Sequence, residues 1–138
     1  MTVVRFAKLE RPEKARLLCQ LAEEQQALDK KILIRVQDDN QAVALDRFMW
    51  TWDKGAFLPH AFNNGSVDCL DEPIVISVRE ENPNGASVLI MGEPCSPGYL
   101  KKFELVIDFA EVFDPQRHEL SRARFRQYRE LGFDPQMY

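Results

Sequence analysis

Residues 32–50 read ILIRVQDDNQAVALDRFMW, and this stretch decides the fold. Ile32 to Val36 is short and nearly continuously apolar, the pattern of a strand covered on both faces. Asp38, Asp39 or Asn40 then offers a helix N-cap, followed by Ala42, Val43, Leu45, Phe48 and Met49 at helical spacing. A two-sided strand running directly into an amphipathic helix belongs to a sheet with helices on its faces.

The same alternation extends outward. Upstream, Val3, Val4 and Phe6 predict a first strand ending near Glu10. Pro12 opens a helix whose apolar positions are Ala15, Leu18, Cys19, Leu21, Ala22 and Leu28, closed by Lys30 and Lys31 at the negative end of its dipole. Downstream, Asp53-Lys54-Gly55 is turn chemistry, Phe57-Leu58-Pro59-His60 a brief extended piece, and Asn63-Asn64-Gly65-Ser66 another turn. Ile74–Val78, Val88–Met91 and Phe103–Phe109 predict three further strands, with residues 92–98 a proline-containing loop. Pro115 opens a last helix that Gly132 stops. The expectation is a single α/β domain over residues 1–138: a mixed, largely parallel sheet flanked by helices, Rossmann-like but without a phosphate-binding loop.

Composition narrows the function. The 138 residues are 45% hydrophobic and 29% charged, values of a globular protein, with a formal net charge of −4 that argues against the whole surface binding nucleic acid or anionic membrane. The 3 cysteines, Cys19, Cys69 and Cys95, are odd in number and widely spaced, so reduced thiols in the cytoplasm are expected rather than a disulfide framework. No apolar run is long enough to span a membrane, and the opening residues lack a secretory h-region.

The chemistry of common α/β enzymes is missing from the pattern. The segment after the first strand reads Ala7-Lys8-Leu9-Glu10-Arg11-Pro12, neither GxGxxG nor a phosphate loop ending in GK[ST]. There is no CxxC or HxxxH, so neither a metal nor a cofactor is expected, and no catalytic residue is assigned. A Cys95–His60 nucleophile pair stays open, because such pairs meet only in space.

Two clusters remain. Phe48, Trp50, Trp52, Phe57 and Phe62 crowd between a helix end and turn-rich chain, together with Pro59 and His60. They form either a core corner or an exposed anchor for a protein partner, and both readings stand for Trp50 and Phe57. The last helix, residues 116–130, holds five arginines and two glutamates, a local +3 against −7 in the rest of the chain. With Leu120 set at 0°, Leu131 falls at about 20° and Tyr128 at about 80°, predicting the core face. Arg129, Arg122 and Arg126 fall at about 180°, 200° and 240°, with Phe125 at about 140° beside them. This is either an ordinary solvated face or, given one sign, arginine rather than lysine and an adjoining ring, a site for an acidic peptide or phosphate.

Several strings carry a family resemblance: Ala44-Leu45-Asp46 running to Trp50, Phe57-Leu58-Pro59-His60, Glu81-Asn82-Pro83-Asn84-Gly85-Ala86, Phe103-x-x-Val106-x-Asp108-Phe109, and Arg122-x-Arg124-x-x-x-Tyr128-Arg129 before Gly132-Phe133. The sequence resembles the chi subunits of bacterial DNA polymerase III holoenzyme across nearly its whole length. The resemblance implies a noncatalytic adaptor in DNA replication, part of a DNA-directed DNA polymerase complex. It would bind the acidic C-terminal tail of single-stranded DNA-binding protein and join a psi-type subunit of the clamp loader. It implies tail binding at Arg122, Phe125, Arg126 and Arg129, and a partner-subunit interface at Trp50, Phe57 and Pro59. Phe125 stands where relatives often carry Tyr, and His118 where Lys is common. No small-molecule substrate and no direct contact with nucleic acid are expected. The alternative reading is a nucleotide- or phosphate-binding α/β enzyme that uses the basic C-terminal helix.

Overall fold

In the computed structural model, which describes residues 2–52, 58–65 and 68–138, the elements follow the predicted alternation. They are β1 (Val3–Leu9), α1 (Ala15–Gln26), β2 (Ile32–Arg35), α2 (Asp39–Thr51), β3 (Ala61–Phe62), β4 (Ile74–Ser77), β5 (Val88–Met91), α3 (Pro97–Leu100), β6 (Leu105–Glu111), α4 (Pro115–Glu130) and β7 (Asp134–Met137). The strands lie in one sheet in the order β3-β4-β2-β5-β6-β1-β7. The sheet was expected to be largely parallel, and every pairing among the described strands is parallel.

Strand parity sorts the core into two layers. Ala7, Leu9, Ile32, Ile34, Ile74, Ile76, Val88, Ile90, Ile107 and Phe109 point to one face and pack on Leu18, Leu21, Leu45 and Met49 of α1 and α2. Val4, Phe6, Leu33, Val75, Leu89, Met91 and Val106 point to the other and pack on Tyr99, Leu100 and Tyr128 of α3 and α4. The continuous apolar runs of β2, β4 and β5 are explained by this two-sided burial.

Local chemistry sets the boundaries. Asp38 caps α2 by accepting from the Gln41 N–H at 2.9 Å, and Asp114 caps α4 by accepting from the Arg117 N–H at 3.1 Å, ahead of Pro115 at the first helical position. Gly132, at φ +87°, takes the left-handed conformation that ends α4 and turns the chain into β7.

Four expectations need correction. α1 ends at Gln26, so Leu28 is exposed beyond it and Lys30 and Lys31 do not close it. The extended piece at 57–60 is displaced, the strand being Ala61–Phe62; Phe57 itself lies outside the described residues. The proline loop at 92–98 already contains the first turn of α3. β7 carries no apolar alternation and was not foreseen; it pairs with β1 at the sheet edge, where Pro135 is tolerated.

Candidate functional site

The largest correction concerns α4. Leu120 and Leu131, expected in the core, are 60% and 42% exposed, while its buried residues are Ser121 and Tyr128. The buried face is therefore rotated by about 80° from the leucine phase. Polar contacts tie it to β6. Asp108, buried on β6, accepts from Arg124 Nε at 3.0 Å and Nη2 at 3.2 Å, from the Tyr128 hydroxyl at 2.8 Å, and from the Phe109 N–H at 2.6 Å. Arg124 Nη2 also donates to the Phe109 carbonyl at 3.2 Å, and Ser121 Oγ accepts from the Glu111 N–H at 3.1 Å.

These contacts shift the groups as expected. Burial, then the Asp108 charge and hydrogen bond, push the Tyr128 phenol well above its ordinary range. Burial opposes the Arg124 cation, but the Asp108 charge and hydrogen bond outweigh it and raise its pKa. Arg124 is thus spent on the fold.

The other arginines stay outside. Arg122, Arg126 and Arg129 are exposed, and Phe125 is half-buried beside them. The Phe125 ring meets Phe6 of β1 at 5.4 Å, and the Arg129 guanidinium lies over it at 5.3 Å. Arg126 pairs with Glu119 at 3.3 Å, both side chains well exposed. Four residues named from the sequence, Arg122, Phe125, Arg126 and Arg129, therefore share one side of α4, a cationic surface with an aromatic floor that suits a carboxylate-bearing, partly apolar ligand.

A second surface lies on α2 and the chain after it. Trp50 is 56% exposed, its ring 4.5 Å from the His60 imidazole, and Pro59 is half-exposed. His60 is buried, with Nδ1 2.8 Å from the Leu58 carbonyl and Nε2 3.0 Å from Asp46 Oδ1. It therefore supports Trp50 from beneath, a role sequence reasoning did not assign. The open Cys95–His60 pair does not form: Cys95 Sγ donates to the Glu93 carbonyl at 3.4 Å, and burial pushes its thiol up to about 12. Cys19 and Cys69 are buried, and neither is in a disulfide.

At the carboxyl ends of β1, β2, β5 and β6 lies a cleft of about 770 Å³, the place where doubly wound sheets take ligands. Its walls include Leu18, Leu45, Phe48, Phe113 and Leu120. Lys14 reaches across it to Glu111 Oε1 at 3.1 Å and the Gly92 carbonyl at 3.3 Å. β5 ends close on β2 here, since a Cβ on Gly92 would stand 2.4 Å from the Arg35 carbonyl. The α2 and α4 N-termini are occupied by their own aspartates, Asp38 and Asp114, which oppose a phosphate. Among the described residues no group of acidic, histidine or cysteine side chains could hold a metal ion, and no helix is long and apolar enough to cross a membrane.

The fold and its cleft define a three-layer α/β protein of doubly wound type without a glycine-rich turn between β1 and α1. Comparison with known proteins gives the family. The family model described as "DNA polymerase III chi subunit, HolC" matches residues 1–136, and the chain belongs to that family, a component of the replicative polymerase. It is 27% identical over 115 residues to DNA polymerase III subunit chi of Pseudomonas aeruginosa, covering 83% of this chain and 78% of that one. Against the Escherichia coli K12 subunit it is 28% identical over 119 residues, 86% and 80% of the two chains. Among solved structures, bacteriophage T4 UvsW superposes with a TM-score of 0.68 at 10% identity, over 99% of this chain and 40% of that one, a likeness of fold alone.

Proposed function

We propose that the chain is a noncatalytic adaptor of the cytoplasmic replication machinery, with separate faces for two partners. The arginine side of α4 receives the acidic C-terminal tail of single-stranded DNA-binding protein. Arg122, Arg126 and Arg129 supply carboxylate-binding forks, and Phe125 the apolar contact. The face carrying Trp50 and Pro59, together with Phe57, docks a psi-type subunit that leads to the clamp loader. The observation that carries this reading is that α4 holds Arg124 inward on Asp108 yet leaves three arginines exposed around a half-buried phenylalanine.

The nucleotide- or phosphate-binding enzyme reading draws on the cleft at the strand ends. Asp38 and Asp114 at its helix N-termini, and Lys14 committed to Glu111, oppose it. Direct binding of single-stranded nucleic acid is opposed by the net charge of −4.

The test is recovery of the tagged chain from its native cell. Single-stranded DNA-binding protein and clamp-loader subunits should accompany it. Arg122→Ala with Arg126→Ala should lose the first and keep the second, and Trp50→Ala the reverse. Retention of both partners by both variants would refute the two-face adaptor.

A further inference from the structure

α4 carries two incompatible instructions. Its apolar phase, Leu120 and Leu131 with Tyr128 at the margin, calls for one rotation about the helix axis. Its polar phase, Ser121, Arg124 and Tyr128 at about 100°, 40° and 80°, calls for another about 60° away. The structure adopts the second and leaves both leucines in solvent. The apolar support for that choice is two rings, Phe125 and Tyr128, which meet Phe6 of β1 at 5.4 and 5.8 Å. Asp108 on β6 supplies the polar half, gathering Arg124 Nε and Nη2 and the Tyr128 hydroxyl within 3.2 Å, while Ser121 ties the helix to the Glu111 N–H.

We infer that Asp108 is the positioning residue of the arginine face: by fixing the rotation of α4, it places Arg122, Arg126 and Arg129 around Phe125 and keeps Leu120 outside. This deepens the tail-binding reading and rests on it for its functional consequence. Asp108 touches no ligand and acts through Arg124 and Tyr128. In the leucine phase the Phe125 ring leaves Phe6, losing the floor that the 5.4 Å ring contact provides. The network also has a specificity consequence. It draws Arg124 from the surface toward the sheet, and Arg117 on the same side of the helix pairs with Glu111 at 3.8 Å, leaving Arg122, Arg126 and Arg129 together on the other side.

The experiment replaces the network with apolar groups, a change that often leaves stability unaltered or raised when a whole buried ion pair is exchanged. The full chain carrying Asp108→Leu, Arg124→Leu and Tyr128→Phe is compared with the unaltered network, each also bearing Leu120→Cys as a probe. Modification of the probe by a maleimide, located by mass spectrometry, reports rotation independently of any ligand. Affinity for a synthetic acidic peptide ending in a free phenylalanine carboxylate reports function. The expected result is retained helix content, a probe modified at least tenfold more slowly, and peptide affinity at least tenfold weaker. An unchanged modification rate, or unchanged affinity in the folded variant, overturns the proposal. Should the triple variant fail to fold, Asp108→Asn is read by the same two measurements with the same criteria. If the unaltered chain binds no peptide, the tail reading fails, and the modification rate alone decides whether Asp108 sets the rotation.

Discussion

The guanidinium of Arg129 lies over the Phe125 ring, 5.3 Å from its centroid, while that ring packs on Phe6 at 5.4 Å. One aromatic side chain thus joins the core to the cationic surface. Its two roles can be separated. Phe125→Ala should lower stability by about 1–3 kcal/mol, since it removes a half-buried ring contact. Arg129→Ala should change stability by no more than about 1 kcal/mol, the worth of an exposed cation–π contact. Urea midpoints of the two variants check the order; equal losses would mean the ring is not seated on Phe6.

His60 and Trp50 should separate in the same way on the other face. Burial of His60 between the Leu58 carbonyl and Asp46 makes His60→Ala destabilising by about 1–3 kcal/mol. Trp50, more than half exposed, should tolerate Ala within about 0.5 kcal/mol. Denaturant unfolding of both variants is the check, and a Trp50→Ala loss as large as that of His60→Ala would return Trp50 to the core.

Asn84 predicts that the Glu81–Ala86 string is structural. Its buried amide donates to the Glu72 carbonyl at 3.0 Å and the Ile32 carbonyl at 3.3 Å, joining the starts of β2 and β4. Asn82 holds the same loop through the Ala86 N–H at 2.7 Å. Asn84→Ala should therefore cost about 1–3 kcal/mol of stability without selectively weakening either partner. Thermal unfolding beside the recovery experiment checks both halves.

Alkaline pH should weaken the fold. Burial pushes the Cys19 and Cys95 thiols up to about 12, with Glu23 adding to the effect at Cys19. An unfolded thiol loses its proton near ~8.5, so the unfolded chain releases protons first. The stability these groups contribute is present below that value and declines as pH rises toward 12. Urea midpoints between pH 8 and 10 should fall, and Cys19 and Cys95 should resist alkylation at pH 8 until urea unfolds the chain. Rapid alkylation of either in the folded chain would contradict the burial argument.

Elements whose own residues carry a strong period were legible in the sequence. β2, β4 and β5 are near-continuous apolar runs, and Asp38, Pro115 and Gly132 mark helix ends by local chemistry alone. β7, reading Asp134-Pro135-Gln136-Met137, has no period, because as an edge strand it is held by backbone pairing to β1 rather than by burial. The phase of α4 was misread because leucines were weighed above Ser121 and Arg124. What weighs against the leucines is Asp108, an acidic residue in the middle of an apolar run that reads as an oddity until its partners are seen. The exposure of Arg122, Arg126 and Arg129 is legible regardless, because they lie outside in either phase, and Arg124, at about 40° on the wheel, falls on the core arc between Leu131 and Tyr128.

The proposed hold of the α4 arginines on an acidic tail depends on the tail's carboxylates. Its most direct measurement is calorimetric titration of a short acidic peptide, ending in a free phenylalanine carboxylate, into the unaltered chain and into Arg122→Ala at low and at raised salt. The expected result is modest affinity that falls as salt shortens the ~10 Å screening length of 0.1 M, and at least several-fold weaker binding to Arg122→Ala with unchanged stability. Equal affinity for the two chains, or no binding to the unaltered chain at low salt, would contradict it.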